Sequence, residues 1–284
     1  MKHTTSHGNL LRAAPLAAAL LGLVLGAQQQ PRATPVTATV QGDLGYRDTA
    51  VLPGQRWRVH DIDRPRPRAV DPGTASTPER PGRPPSDAIV LFDGKDTSRL
   101  VWPAGGWKLE NGYLEIAGKG QDLVSRESFG DIQLHVEWMA PPNPQRAGQW
   151  RGNSGVILMG RYEIQVLDSY DAATYADGQA ASMYGQFPPL VNASRQPGEW
   201  QSYDIIFEAP RFEGDKLIKP PIVTVLHNGV LVHNHQAFIG QMAHRIHKPF
   251  EPHGPEAPLV IQNHDVPVRY RNIWLRRIGG YDEP

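Results

Sequence analysis

The chain has 284 residues, 29 Lys+Arg against 29 Asp+Glu, 39% hydrophobic residues and no cysteine. A chain of this length can bury one sizeable core or two small ones. Zero formal net charge removes the usual electrostatic reason to expect nucleic acid or an anionic membrane as a partner. The lack of cysteine excludes disulfides and thiol nucleophiles, so the core must hold the fold unaided.

The first residues have the layout of a secretory signal peptide. Lys2 and Arg12 precede an apolar run over residues 13–27, and the polar stretch QQQPRATP follows. The run is shorter than the roughly 20 apolar residues of a transmembrane helix, and Pro15 interrupts it. We therefore expect residues 1–27 to be a cleaved signal peptide. The expected location is periplasmic or extracellular, without stable membrane insertion; an uncleaved N-terminal anchor is the alternative.

Residues 28–87 form a Pro/Arg-rich extension, as in DIDRPRPRAVDPGTASTPERPGRPPSD. Without apolar periodicity, such a segment cannot bury enough surface to offset its ordering entropy alone. One interpretation is a solvated, extended linker. The stretch YRDTAVLPGQRWRVHD, where Trp57 and Val59 alternate with polar residues, could instead lie as a strap across the main domain. Pro and carboxylates dilute the arginines, which argues against a polyanion site.

Residues 88–284 have the period-two pattern of β-strands. Asn-Gly turns at Asn111 and Asn228 predict hairpins in GWKLENGYLEIAG and PIVTVLHNGVLVHNH. Further strands are predicted in AIVLFDG, DIQLHVEWMA, GVILMGRYEIQVLD, EWQSYDIIFEA and PLVIQNHDVPVRYRNIWLRRI. About ten strands with hardly any helical period predict an all-β domain, built as a two-sheet antiparallel sandwich or a barrel.

The strand RYEIQVLD carries polar groups among apolar ones. Since residues i and i+2 of a strand share a face, Glu163 and Gln165 are expected to point together toward a concave surface. Asp168 has the opposite parity unless a bulge returns it to that face. A polar face turned to water is the alternative. The opposite face, assigned to the core, consists of Tyr162, Ile164 and Val166.

The stretch QNHDVPVRYRN carries a second polar set. Gln262 and His264 share one parity, as do Arg269 and Arg271. A histidine beside a carboxylate-bearing strand can act as a general base near neutral pH, because its unperturbed pKa lies close to that range. A satisfied or exposed histidine is the alternative. The other face of the last strand is expected to carry Tyr270, Asn272 and Trp274.

Metal and cofactor signatures are absent from the sequence. The segment HNHQAFIGQMAHRIHKPFEPH is rich in histidine but lacks His-Glu-x-x-His or another defined ligand spacing. Neither a Gly-x-Ser-x-Gly elbow nor a P-loop or dinucleotide fingerprint occurs. No metal ligand or cofactor is therefore assigned, although the sequence does not exclude a divalent metal.

Eight fragments, in this order, resemble the 3-keto-disaccharide hydrolase domain family, formerly a domain of unknown function. They are IVLFDGKDTSRLVW, WKLENGYLEI, GNSGVIL, YEIQVLD, ASMYGQFPP, GEWQSYDIIFEAP, VLHNGVLVHNH and VIQNHDVPVRYRNIWLRRI. The match covers about residues 89–278, and the extension is similar to the lead-in of exported members. The resemblance implies a concanavalin A-like jelly roll and hydrolysis of small glycosides or disaccharides oxidised to a ketone at C3.

The chemistry that this resemblance implies defines the residues to look for. A C3 ketone acidifies the hydrogen on C2, so a base can remove that proton, the C1 substituent can leave, and water can add back. Such a site needs a base near C2 and a donor or metal for the enolate oxygen. The catalytic candidates are Glu163, His264 and Asp168. The substrate-binding candidates are Asn153, Gln165, Tyr184, Gln262 and Arg271.

Two other functions remain alternatives. The layout of the strand that begins at Glu163 is similar to that of the catalytic strand of glycoside hydrolase family 16, whose motif is Glu-x-Asp-x-(x)-Glu. In this chain Gln165 takes the middle position of the motif and Asp168 the last. A retaining glycosidase needs two carboxyls about 5–5.5 Å apart, so this departure disfavours the two-carboxylate mechanism. A non-catalytic glycan-binding module is the second alternative. Its aromatic platforms would be Trp138, Trp150 or Tyr184.

Overall fold

The computed structural model describes residues 44–144 and 146–282. The predicted signal peptide and the first part of the extension lie outside these residues. In the part of the chain that is described, no helix is long and apolar enough to cross a membrane. The chain divides into two compact units, Met1–Asp63 and Arg64–Pro284.

The described part of the first unit, residues 44–63, is a small loop structure. Isolated bridges join Tyr46 to Asp61 and Val51 to Arg58. The Arg56 guanidinium lies 4.4 Å above the Trp57 ring. The expectation that this stretch forms a strap across the main domain stays a prediction.

Among the described residues of the second unit, all regular secondary structure is β-strand apart from two 3-10 turns at Gly148–Trp150 and Ala176–Gly178. The strands are β1 (Ile89–Phe92), β2 (Leu100–Val101), β3 (Trp107–Glu110), β4 (Tyr113–Ile116), β5 (Leu123–Phe129), β6 (Ile132–Met139), β7 (Ser154–Leu158), β8 (Tyr162–Val166), β9 (Gln201–Glu208), β10 (Arg211–Glu213), β11 (Lys216–Lys219), β12 (Ile222–His227), β13 (Val230–Ala237), β14 (Ala257–Ile261) and β15 (Arg269–Arg277).

These strands form two main antiparallel sheets and one separate hairpin. The eight-stranded sheet has the order β13-β12-β9-β6-β15-β4-β3, with β1 also paired to β15, and the five-stranded sheet has the order β2-β5-β14-β7-β8. Both Asn-Gly hairpins form, because Asn111 (φ 47°) and Asn228 (φ 52°) adopt the left-handed backbone that such turns require. The predicted all-β, two-sheet antiparallel fold is confirmed.

The core lies between the two sheets. Alternate residues of β6, including Trp138, are buried, and so are Tyr162, Ile164 and Val166 of β8. Because Trp138 is 0% exposed, it is a core residue and not a sugar platform. The Tyr203 hydroxyl crosses the core to donate to the backbone oxygen of Gln165 at 2.7 Å, which helps to fix β8 against the eight-stranded sheet.

A bulge in β15 changes the faces that its residues take. The pairing of β15 with β6 shifts between Arg271 and Trp274, and Asn272 has a φ of 48°. The extra residue puts Arg271 and Asn272 on the same outer face, because a bulge interrupts the period-two alternation. The expectation that Tyr270 shares a face with Asn272 and Trp274 is therefore wrong.

Part of the Pro/Arg-rich extension is ordered within the second unit, although it forms no strand. The Arg271 guanidinium donates to the backbone oxygens of Thr77 (2.7 Å) and Pro78 (3.2 Å). The Arg276 guanidinium pairs with Asp87 at 2.6 Å. Residues 74–87 therefore pack on the eight-stranded sheet through polar contacts. Packing of this kind needs no apolar periodicity in the sequence, so it was not predicted.

Candidate active site

A cavity of about 560 Å³ opens where β8 and the ends of β7 and β14 meet three loops. Its volume lies within the range of about 300–1,000 Å³ that is usual for small-molecule sites. Most of its walls are polar or aromatic. The residues that line it are Gln149, Trp150, Asn153, Glu163, Gln165, Tyr175, Tyr184, Met242, Ala243, His244, Gln262 and His264.

Glu163 is the buried carboxyl group of this cavity. The β7–β8 register places Ile157 opposite Glu163 and Gly155 opposite Gln165, so these four residues share the outer face of the sheet. Glu163 is 4% exposed, and within residues 44–144 and 146–282 no donor bonds to its carboxylate. Burial, with a smaller contribution from the negative charge of Asp122, raises the pKa of Glu163 to about 8. Glu163 is therefore mostly protonated at neutral pH.

Gly155 gives the Glu163 side chain its space. A Cβ on Gly155 would lie 2.9 Å from Cδ and 3.0 Å from Cγ of Glu163 and would collide with its carboxylate. The sequence Asn153-Ser154-Gly155 therefore makes two contributions to the cavity: Gly155 leaves space for the Glu163 side chain, and Asn153 provides a polar side chain.

The raised pKa of Glu163 has a measurable consequence for stability. Its ordinary pKa is 4.5 and its folded pKa about 8, so between these values the folded protein holds a proton that the unfolded chain releases. Unfolding is then favoured as pH rises, by about 1.4 kcal/mol per pH unit. Relative to Glu163→Gln, the wild type should lose a few kcal/mol of unfolding free energy between about pH 5 and 8. Urea unfolding at each pH measures this difference; parallel curves for the two proteins would contradict the raised pKa.

Gln165 lies beside Glu163 on the same face and is 1% exposed. Its side-chain nitrogen donates to the side-chain oxygens of Gln149 (3.3 Å) and Asn153 (3.2 Å). Its own oxygen, Oε1, is buried and has no partner in the described structure. A buried polar atom without a partner needs an explanation, and a ligand in the cavity would supply one.

Two tyrosines and a histidine form a polar network on another wall. The Tyr184 hydroxyl lies 2.8 Å from Nδ1 of His244 and 3.1 Å from the Tyr175 hydroxyl. Burial, followed by the hydrogen bond with Tyr175, raises the pKa of Tyr184, so it stays a neutral phenol. Sequence reasoning missed Tyr175, and it noted His244 only as part of a histidine-rich segment.

His264 and Trp150 line the cavity together. Their ring centroids are 5.6 Å apart in an edge-on arrangement. The Arg146 guanidinium lies 5.2 Å above the Trp150 ring, which is half exposed. Trp150 thus presents an aromatic surface at the cavity that a sugar ring could contact.

Asp168 does not line the cavity. Its carboxylate accepts bonds from the Arg151 guanidinium at 3.0 and 2.6 Å and from the Tyr170 backbone N–H at 3.2 Å. The strand β8 ends at Val166, so no bulge turns Asp168 back toward Glu163. The candidate catalytic role of Asp168 is therefore corrected: it is a buried ion-pair partner that ties the end of β8 to the loop before β7.

Arg271 lies on the other sheet. Its guanidinium donates to the Glu137 carboxylate at 2.6 Å and stacks 4.2 Å from the Trp200 ring. Strand parity predicted which face of its strand Arg271 occupies, but it could not predict which sheet the strand joins. Arg271 lies on β15, which belongs to the eight-stranded sheet. Its candidate substrate-binding role is corrected accordingly. The structure does bring the remaining candidates together at the cavity, namely Glu163, His264, Asn153, Gln165, Tyr184 and Gln262.

A metal centre is not visible in the described part of the chain. Within it, no group of three or more His, Asp or Glu side chains is close enough together to hold a metal ion. The cavity contributes His244, His264 and Glu163 as its titratable His and acidic groups.

The two-sheet sandwich, with a polar and aromatic cavity on its smaller sheet, is the architecture of a carbohydrate-active jelly-roll domain. The chain matches the 3-keto-alpha-glucoside-1,2-lyase-like domain over residues 87–276, and it belongs to this family. The family resemblance seen in the sequence is thereby confirmed.

Two solved structures from Parabacteroides distasonis ATCC 8503, each provisionally named a glycosyl hydrolase, are similar to this chain. One is 38% identical, with a TM-score of 0.72, and the match covers 79% of this chain and 99% of that chain. The other is 18% identical, with a TM-score of 0.50, covers 67% of this chain and 99% of that chain, and shows the fold alone. A search of curated proteins finds no match. Family and fold together indicate a hydrolase-like, carbohydrate-active enzyme.

Proposed function

We propose that this protein cleaves the glycosidic bond of 3-keto glycosides or disaccharides by proton abstraction at C2, elimination at C1 and hydration. The observation that carries the proposal is that the Glu163 carboxyl is 4% exposed, has no hydrogen-bond donor among the described residues, and lies in a cavity that these residues line with no second carboxyl. Burial raises the pKa of this carboxyl to about 8, which suits it to act as an acid. A retaining glycosidase requires a carboxylate pair about 5–5.5 Å apart, whereas elimination next to a ketone requires one acid and one base.

The reaction uses two side chains of the cavity. His264 removes the C2 proton, and the C2–H electron pair forms the C2–C3 double bond of an enolate. Re-formation of the ketone expels the C1 oxygen, which takes the proton of Glu163 as it leaves. Water then adds to C1 of the unsaturated ketone and a proton returns to C2, so the net reaction is hydrolysis. The amide and phenol donors of the cavity support the enolate oxygen.

Incubation with a 3-keto disaccharide and with its unoxidised parent tests this proposal. We expect release of the monosaccharides from the keto form alone. Cleavage of the parent would contradict the proposal in favour of a conventional glycosidase. Binding of either sugar without turnover would contradict it in favour of a glycan-binding module. A parallel incubation with a chelator tests whether a divalent metal takes part.

Gly155→Ala should impair the enzyme without unfolding it. The added methyl group would displace the Glu163 carboxyl, and a small misplacement of a catalytic group costs about 100-fold in rate. We expect kcat to fall by at least about ten-fold. The matched control is Gly105→Ala, because a Cβ there meets no atom within 4 Å. Equal kcat values for the two variants would contradict the close contact between residues 155 and 163.

We also propose that the enzyme is exported, on the strength of the basic, apolar and small-residue pattern of residues 1–27. Cell fractionation followed by mass spectrometry should find a shortened chain that starts near residue 28 in the periplasm or the medium. A full-length chain retained inside the cell would contradict export.

A further inference from the structure

The orientation of the Gln149 side chain is fixed by the backbone. Its side-chain nitrogen donates to the backbone oxygen of Gly178 at 2.9 Å and to the hydroxyl of Thr174 at 3.0 Å. A carbonyl oxygen only accepts, so the end of the amide that faces Gly178 must be the nitrogen. The oxygen of Gln149 therefore faces Gln165.

This orientation is passed on to two further amides. Because Gln149 presents an oxygen, the facing end of Gln165 must be its nitrogen, which also bonds to the oxygen of Asn153. One atom of each of two cavity-lining residues, Gln165 and Asn153, remains outside these bonds. The oxygen of Gln165 is a buried acceptor without a partner in the described structure. The side-chain oxygen of Asn153 accepts the bond from Gln165, so the side-chain nitrogen is the donor at the other branch of the Asn153 amide.

One acceptor and one donor on neighbouring amides match a chemical group that carries one donor and one acceptor on neighbouring carbons. An α-hydroxy ketone is such a group, since its O–H donates and its C=O accepts. In a 3-keto glycoside the hydroxyls on C2 and C4 both flank the ketone. A hydrophobic ligand or an anion without a donor would leave the oxygen of Gln165 unpaired and buried, which costs free energy.

We propose, resting on the function given above, that the Asn153–Gln165 amide pair recognises the α-hydroxy ketone unit of the sugar. The oxygen of Gln165 accepts a hydrogen bond from the hydroxyl next to the ketone, and the nitrogen of Asn153 donates to the ketone oxygen. That second bond strengthens as the oxygen becomes an enolate. Gln149 is a positioning residue: it acts on the sugar indirectly, because its hydrogen bond fixes the orientation of the Gln165 amide.

The turn Tyr175–Gly178 holds the first amide in place. A Cβ on Gly178 would collide with the Tyr175 ring and lie 2.8 Å from the side-chain nitrogen of Gln149. Glycine at this position therefore allows the backbone oxygen to approach Gln149. This part of the recognition site comes from a loop that carried no motif in the sequence.

Binding of uncleavable sugars to the full-length protein tests the proposal by calorimetry. The probes are 1,5-anhydro-3-keto-glucitol, which has no leaving group, and its 2-deoxy and 4-deoxy forms. The wild type should bind one deoxy form about ten-fold or more weakly than the parent ketone. Gln165→Leu should bind the parent ketone about as weakly as the wild type binds that deoxy form, and should no longer distinguish the two. Gln149→Leu should reduce the same distinction, and the control Gln236→Leu should retain it.

Unchanged discrimination in Gln165→Leu would overturn the proposal, as would a wild type that binds all three probes equally. If Gln165→Leu does not fold, Gln165→Met provides the same comparison. The probes cannot be cleaved, so their binding is independent of turnover. The wild type could distinguish the parent ketone from a deoxy form as expected and yet cleave no 3-keto glycoside. That result would support this proposal and contradict only the proposed reaction.

Discussion

The Glu163→Gln variant should lose at least about 100-fold in kcat on a 3-keto disaccharide. Burial raises the pKa of the Glu163 carboxyl to about 8, so at neutral pH it holds the proton that the leaving sugar oxygen takes in the proposed reaction. An amide of the same shape cannot transfer that proton. Steady-state kinetics on the disaccharide measure the loss. His264→Ala should lose a similar factor, because it removes the proposed base.

A substrate with a better leaving group separates these two roles. A nitrophenyl 3-keto glycoside expels a stable phenolate without help from an acid, so Glu163→Gln should recover most of its activity on it. His264→Ala should stay slow on both substrates, since C2 must still be deprotonated. If Glu163→Gln were equally impaired on both, its role as the acid would be refuted.

The second large effect concerns stability, at a site away from the cavity. Glu137→Ala should lower the free energy of unfolding by about 3–5 kcal/mol. Glu137 is 2% exposed and accepts hydrogen bonds from Arg271 (2.6 Å), Asn272 (2.7 Å) and the Ser76 hydroxyl. Its loss would leave the Arg271 guanidinium buried without its carboxylate partner. Urea unfolding measures the change.

Glu213→Ala, at an exposed position of β10, is the matched control and should change stability by less than about 0.5 kcal/mol. Hydrogen exchange should show residues 74–80 opening more often in Glu137→Ala, because Ser76 and Thr77 are held through Glu137 and Arg271. A loss of less than about 1 kcal/mol would contradict the importance of this network.

The network also has a defined pH dependence. Burial alone would raise the pKa of Glu137, but hydrogen bonds from His135, Ser76, Asn272 and Arg271 lower it to about 2. The ionised carboxylate therefore stabilises the fold above about pH 4.5, and this stabilisation is lost as pH falls toward 2.

The parts of the fold that depend on local periodicity were predictable. Alternation in β6 and β8 identified the core faces, and Asn-Gly pairs at Asn111 and Asn228 located two hairpins, because each signal arises from neighbours in the chain. The same parity placed Glu163 and Gln165 on one face, which is the face that lines the cavity.

The rest depended on long-range packing or on local irregularities. Parity could not show that Arg271 belongs to the opposite sheet, nor that a bulge at Asn272 would alter the faces of β15. Parity placed Asp168 off the face of Glu163, but it could not show that its carboxylate forms an ion pair with Arg151 of a loop, and so its candidate catalytic role was wrong. The loops that carry Tyr175 and His244 have no periodicity, so only the folded chain brings them to the cavity.

The central claim is that bond cleavage proceeds through loss of the C2 proton, and turnover of a 3-keto disaccharide in heavy water tests it most directly. Elimination and hydration return a solvent proton to C2, so the keto-sugar product should carry deuterium there, above the level reached by the product alone in heavy water over the same time. A keto-sugar product that keeps its original hydrogen at C2 would contradict the account.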